Sequence, residues 1–531
     1  MRLNKTRPSF DHLIRTHRAD IFALLLAIAG FLTSALVTQR VFEGIPHIED
    51  EIAYVWQAKA MAEGHLTVPS PQNNLSYLVP FVVDYNGVRF GKYPPGWPAL
   101  LSIAIRLGVR AWINPLLAGL GVWLTYLLGK KYFSEFVGLL AAGLTVSSPF
   151  VLMNSGSLLS HPFGLVLSAS FAWGWLESFW TPKSDETIGL PTRVKNQWVY
   201  ATLSALALGV LILTRPMTAL AVALPFGLHG VYLLIRSDTR TRLRVVVFGL
   251  IAIIFVGLYF LWQYSLTGNA LLNTYTLWWP YDKVGFGPGY GRGPAGHTLE
   301  LAWINTRNSL EAGSYDLFGW GGFSWVFLPF GLWAVRRNLK GLMLGSVAIS
   351  LVLVYMTYWI GATLFGPRYY YEGLFSVTLF SAAGIAWLAG WPTRLGASTI
   401  RYTGWRKLRP LAITLILGVL VGINLTLYLP NRLGVVYGLY NIEKADQEPF
   451  MTPSTKSFTP ALVIVHSKRW MEYGALLDLE DPELTTPFIF AWSIGTDADA
   501  RLGKAIPSRT VYHYYPEQPF QLLKEPLPDP P

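Results

Sequence analysis

The sequence predicts an all-α polytopic membrane protein with long extracytoplasmic loops and a small C-terminal α/β domain. Three observations carry this. Of 531 residues, 52% are hydrophobic and only 14% charged; ordinary soluble domains carry roughly a quarter charged residues, so the chain cannot cover a water-exposed surface. Eleven apolar runs approach the ~20 residues that a membrane-spanning helix needs: 20–39, 111–129, 136–153, 162–180, 198–214, 216–235, 245–264, 318–335, 341–362, 372–391 and 411–429. Basic residues crowd into short segments between these runs, as membrane topology requires. A soluble enzyme, a disordered chain and a collagen-like chain are excluded.

The net charge of +11 does not point to nucleic acid, because the positive residues flank apolar runs instead of sharing one soluble face. There is no cysteine, so neither a disulfide framework nor a thiolate metal site can form.

The first run follows Arg2, Lys5, Arg7, Arg15 and Arg18 and lacks a small-residue cleavage site, so it reads as a retained span. With residues 1–19 cytoplasmic, the short inner segments hold 22 of the 42 Lys and Arg residues, and the rest spread over much more chain outside. This asymmetry predicts an N-terminus inside, a transmembrane domain over 20–429 with outer loops at 40–110 and 265–317, and an outer C-terminal domain over 430–531.

Along the outer segments, 51–63 places Ile52, Val55, Trp56 and Ala60 at helical spacing and predicts an amphipathic helix on the membrane surface. In 81–90, Asn86-Gly87 between two β-prone runs predicts a hairpin. The apolar stretch 94–107 is too short to span and is expected to dip into the interface. The 265–317 segment, rich in glycine and aromatic residues, reads as a lid over a site. In the tail, the strand-like runs 461–466 and 487–492 alternate with polar stretches, the pattern of a small α/β unit.

Several polar residues stand out at the outer ends of apolar runs. Asp50 and Glu51 open the predicted surface helix, where acidic residues favour a helix N-terminus and a carboxylate can also serve as a general base. Lys92, in GKYPPGWPALL, is either a snorkelling lysine or an ammonium suited to a lipid phosphate. His161 lies in SHPFGL and Arg368 begins RYYYE. Arg215 sits between two adjoining spans, where a charge is costly unless it neutralises a buried carboxylate or lines a polar cavity. No phosphate loop, HExxH or GxSxG is present, and GFGPGYGRG at 285–293 follows no strand of a βαβ unit.

EDEIAYVWQAKAMAEG, the hairpin with YNGVRFGKYPPGWPALL, LLGKKYFSEFVGLLAAGLTVSSPF, LSHPFGL, LILTRPMTAL and GPRYYYE, in that order, resemble the GT-C superfamily of polytopic glycosyltransferases. The branch is the one holding protein O-mannosyltransferases and lipid A aminoarabinose transferases, and the likeness covers about residues 15–390. The resemblance implies a GT-C-like transmembrane domain and an inverting transfer of a sugar from a polyprenyl-phosphate donor to a glycan, lipid or protein, outside a prokaryotic plasma membrane. It implies Asp50 as catalytic base with Glu51 beside it, and Lys92, Arg215 and Arg368 on the donor phosphate. Tyr93, His161 and Tyr369 are expected to bind substrate. No cofactor is expected: His161 stands where several members have an acidic residue, which disfavours a divalent metal near Asp50 and His161. The competing readings are a flippase for lipid-linked saccharides, which would show midplane charges and internal repeats, and a surface-glycan polymerase or ligase.

Overall fold

Long apolar helices dominate the computed structural model, which describes residues 17–180, 192–396 and 404–528. The basic segment 1–16 and the stretches 181–191 and 397–403, counted above among the inner segments, lie outside the described residues. Among the described residues seven helices are long and apolar enough to cross a membrane, or eight if one bent pair is taken as a single span. The chain is a multi-pass membrane protein, with fewer such helices than the eleven apolar runs.

The differences have local causes. The run 136–153 is two helices, α5 (Glu135–Val146) and α6 (Pro149–Gly156), bent by 57°; Pro149 restarts the helix, and Ser148 caps it through its hydroxyl on the Val151 amide. The run 318–335 is helical only over α13 (Leu328–Val335), because Gly319, Gly321 and Gly322 adopt left-handed conformations just before it. The run 341–362 is helical only over α14 (Leu339–Tyr355), and 162–180 forms α7 (His161–Phe179), which is packed inside the bundle. The last span extends past its predicted end: α16 (Arg409–Ile423) passes through one π-helical turn, Asn424–Tyr428, into α17 (Leu429–Val436).

The bundle has two chemically distinct ends. At one, Lys130 of α4 (Arg110–Tyr132) pairs with Asp20 of α1 (Arg18–Arg40) at 2.5 Å, Lys131 pairs with Glu177 at 2.7 Å, and Asn338 donates to the Tyr132 carbonyl at 2.6 Å. The other end carries the long polar segments. There α2 (Glu49–Ala62) is not the predicted surface helix: ten of its fourteen residues are buried. It packs on α3 (Gly96–Arg106) and, through Ile52 and Trp56, against the hairpin and the tail residues Trp470 and Leu477. The hairpin forms as predicted, β2 (Val82–Tyr85) pairing with β3 (Val88–Gly91) around Asn86-Gly87, both at positive φ, and β1 (Val68–Pro69) adds a third strand. The 265–317 segment is not a plain loop, since it contains α11 (Thr274–Trp278) and α12 (Leu299–Asp316) on either side of the glycine run.

In the tail, β4 (Ala461–Val465) lies between β5 (Phe488–Trp492) and β6 (Thr510–Tyr514) in a parallel sheet, with α18 (Thr496–Ala505) in the crossover. The sheet rests on the first long loop, where Tyr77 packs among Leu462, Ile464 and Ile489. Asp478 accepts both Arg110 nitrogens at 2.6 and 2.8 Å, and Lys59 of α2 donates to the Asp478 and Glu480 carbonyls at 2.6 and 2.8 Å. Arg110 and Lys59 hold the Asp478 carboxyl below the usual carboxylate range although its burial works the other way.

Candidate active site

The start of α2 is the origin of the site. Glu49, Asp50 and Glu51 occupy its first turn, where the helix dipole favours negative charge. Glu51 points away from the cavity and is fully buried; it accepts the amides of His47 at 2.9 Å, Ile48 at 3.2 Å and Leu158 at 2.5 Å. Burial pushes its carboxyl up to about 7 against the pull of those amides. The expectation that Glu51 stands beside the catalytic base is therefore corrected: its oxygens satisfy backbone donors that the helix cannot, and it ties the helix start to the 157–159 segment.

Asp50 faces a cavity of about 310 Å³, lined also by Lys92, Tyr93, Arg215, Arg368 and Tyr369. The structure thus brings six of the eight singled-out residues together. Asp50 has both oxygens engaged, one by a short hydrogen bond from the Tyr93 hydroxyl and the other by Arg368 at 3.2 Å. Burial would raise its pKa, but Arg368, the Tyr93 hydroxyl, Lys92 and Arg215 outweigh it and keep the carboxyl below its ordinary value.

The cations are not free. Lys92 is 2% exposed, with Nζ 3.5 Å from the Phe81 ring centroid and 4.8 Å from that of Trp279, so it is an aromatic-caged ammonium and not a snorkelling one. Its counter-ion is Asp282 at 3.4 Å, which also accepts Tyr358 at 2.7 Å and Trp359 at 3.0 Å. Burial lowers the Lys92 pKa, opposed by Asp282, Asp50 and Glu49. Arg215 both lines the cavity and neutralises a buried carboxylate, Glu372 at 3.2 Å, while donating to Ser160 at 3.2 Å.

His161 does not line the cavity. Its Nδ1 lies 3.1 Å from the same Glu372 oxygen, beneath the site and 2% exposed, so its expected place in substrate binding is corrected to a contact under Arg215. Gly164, one turn along α7, makes room for Glu372: a Cβ there would lie 2.6 Å from the carboxylate. Tyr369 stacks on Tyr355, ring centroids 4.9 Å apart.

Sequence reasoning passed over Glu49, Asp282 and Glu372. Glu49 is the immediate neighbour of Asp50, and Glu372 closes the RYYYE run that Arg368 opens. Asp282 sits in WWPYDKVGFG of the aromatic, glycine-rich segment, whose Trp279 and Asp282 wall the cavity as a lid would. Among the described residues no three His, Asp or Glu side chains converge as a cation site.

A family model for the N-terminal part of the oligosaccharyl transferase STT3 matches residues 98–277. The structure is similar to that of ArnT from Cupriavidus metallidurans bound to undecaprenyl phosphate, with TM-score 0.55 and 13% identity, over 94% of this chain and 90% of that one. The chain has the GT-C fold. The GT-C likeness extends to the oligosaccharyltransferase AglB from Archaeoglobus fulgidus in complex with an inhibitory peptide and a dolichol-phosphate, with TM-score 0.51 and 13% identity, over 87% of this chain and 64% of that one. No curated protein matches the sequence.

Proposed function

We propose that this chain is an inverting glycosyltransferase that moves a sugar from a polyprenyl-phosphate carrier to a glycan, lipid or protein acceptor on the extracytoplasmic face of a prokaryotic plasma membrane. The observation that carries this reading is the meeting of Lys92, Arg215 and Arg368 around Asp50 in one cavity whose wall turns apolar at Met217, Tyr259 and Ile360. Polar floor and apolar wall together suit a phosphate headgroup with a hydrocarbon tail. The polyprenyl phosphates bound in the similar ArnT and AglB structures support the same ligand class.

In a single displacement the acceptor oxygen or nitrogen attacks the anomeric carbon and the carbon–oxygen bond to phosphate breaks. Negative charge grows on the leaving oxygen, so cations at the phosphate stabilise the transition state more than the bound donor. Asp50, held ionised by its neighbours, faces the positive charge that develops on the sugar ring. A carboxylate of the Glu49–Asp50 pair takes the acceptor proton.

Binding of undecaprenyl phosphate to the protein in nanodiscs, followed by native mass spectrometry, tests the donor site. Arg368→Gln is expected to weaken binding and to steepen less with falling salt, because one phosphate contact is gone; wild-type binding by this variant, with wild-type release of undecaprenyl phosphate from a glycosylated donor, would remove Arg368 from the site.

The proposed orientation is N-terminus inside and C-terminus outside. It is supported by the gathering of Lys130, Lys131 and Asn338 at the end of the bundle opposite the cavity, the end where Arg336, Arg337 and Lys340 also fall in sequence. An alkaline phosphatase reporter fused after residue 531 should be active and one inserted within 237–243 inactive; the reverse pattern would overturn the assignment.

A further inference from the structure

Each cavity cation has its own carboxylate, and Glu49 lies beside them without a cation of its own among the described residues. Arg368 is paired with Asp50 at 3.2 Å, Lys92 with Asp282 at 3.4 Å and Arg215 with Glu372 at 3.2 Å. Glu49 lines the same cavity, yet among the described residues no cation lies within ion-pair distance of it; only its own backbone amide reaches its carboxylate. A carboxylate in a partly buried position is ordinarily paired or displaced to water.

Asp50 is the opposite case. Proton transfer needs a lone pair within hydrogen-bond reach of the nucleophile; each Asp50 oxygen already accepts one bond, from Tyr93 or Arg368, which lowers its basicity, whereas among the described residues no side chain bonds to Glu49. We infer that Glu49, and not Asp50, is the group that accepts the proton of the acceptor nucleophile. The inference rests on the glycosyl-transfer reading above.

In the step, the acceptor O–H or N–H attacks the anomeric carbon, the phosphate leaves with the bonding electron pair, and the proton passes to the Glu49 carboxylate. Asp50 keeps Arg368 and Tyr93 in place and presents its charge to the sugar. The surroundings of Glu49 fit the task. Burial pushes its carboxyl up and Asp50 adds to the rise, while Arg368 and Lys92 pull it down; Tyr440 is a further titratable neighbour. A carboxylate poised above the ordinary range is a better base than the depressed Asp50.

The sign of the pH dependence follows. Transfer needs Glu49 ionised, so the rate is lost as pH falls through its raised pKa, while Asp50 is still charged. The experiment uses the full chain in nanodiscs with undecaprenyl-phosphate-linked hexoses, N-acetylhexosamines and pentoses, each offered with and without a membrane-glycan acceptor fraction, and reads release of undecaprenyl phosphate. Glu49→Gln is expected to lower kcat about 100-fold or more, to leave undecaprenyl phosphate binding unchanged and to abolish the acid limb of the profile. Glu49→Asp should retain a slower rate with an acid limb. A Glu49→Gln protein that keeps the wild-type rate and acid limb overturns the inference alone. A wild-type protein that binds and consumes none of the donors overturns the transfer reading, and this inference with it.

Discussion

Asp50→Asn is expected to slow sugar transfer about 100-fold or more in a protein that still folds. The amide keeps the size of the side chain, but only one of its two ends is an acceptor, so it keeps the bond from Tyr93 or from Arg368 and turns an NH2 to the other, and it carries no charge. The transition state then lacks the anion facing the sugar ring, while Arg368 loses its counter-ion and remains free to hold the phosphate. The loss should fall on kcat with donor binding retained, the pattern of an interaction made only in the transition state. The stability cost is larger than for an exposed carboxylate at a helix start, where about 1 kcal/mol would be usual. Tyr93 and Arg368 both bond to the charged acceptor, and such bonds contribute about 1.5–3 kcal/mol. Single-turnover rates and thermal midpoints of the purified variant check both halves, and wild-type turnover would take Asp50 out of the chemistry.

The largest effect on stability is expected at Arg215. Glu372 is fully buried, with one oxygen shared by Arg215 and His161 and the other without a partner among the described residues. Arg215→Met leaves that carboxylate with the imidazole alone, and breaking a buried pair from one side costs about 3–5 kcal/mol. Replacing both members, Arg215→Met with Glu372→Leu, removes the two desolvated charges together and should recover most of the loss. Unfolding midpoints of the two single variants and the double variant form the cycle that decides it. Strictly additive effects would mean that the two side chains do not act as a pair. Transfer should stay low in the double variant, because the cavity has lost a cation.

How much of this was legible in the sequence differs from one element to the next. The Asn86-Gly87 hairpin was readable because two adjacent residues determine a turn type. The first span and the runs at 198–214 and 216–235 were readable because lipid demands an uninterrupted apolar stretch. The run at 318–335 misled because its glycines count as apolar in a hydropathy window while their left-handed backbone ends a helix. The helix at 49–62 was misjudged because its apolar residues fit one face, whereas Gln57 is buried against the hairpin strand at Gly91 and Glu51 against Leu158, 107 residues on. At the site, Asp50, Lys92, Arg215 and Arg368 were recognisable from motif order. The counter-ions of Lys92 and Arg215 were not: Lys92 and Asp282 are 190 residues apart, and no local pattern marks such a pair.

The grip of Lys59 and Arg110 on Asp478 has a consequence for how the site keeps its shape. Lys59 belongs to the helix whose first turn carries Glu49 and Asp50, and Trp56 on that helix leans on Trp470 and Leu477. Among the described residues none beyond 369 lines the cavity, yet the tail acts as a splint along the back of the helix that forms its floor. A chain cut before the sheet would leave two cations without an anion and a tryptophan without cover, so the floor would warp although nothing in the cavity had been removed. Two stretches nearly 420 residues apart, Lys59 and the Asp478–Glu480 turn, therefore form one mechanical part. A graft that exchanged the tail for that of another chain would have to bring the first loop with it.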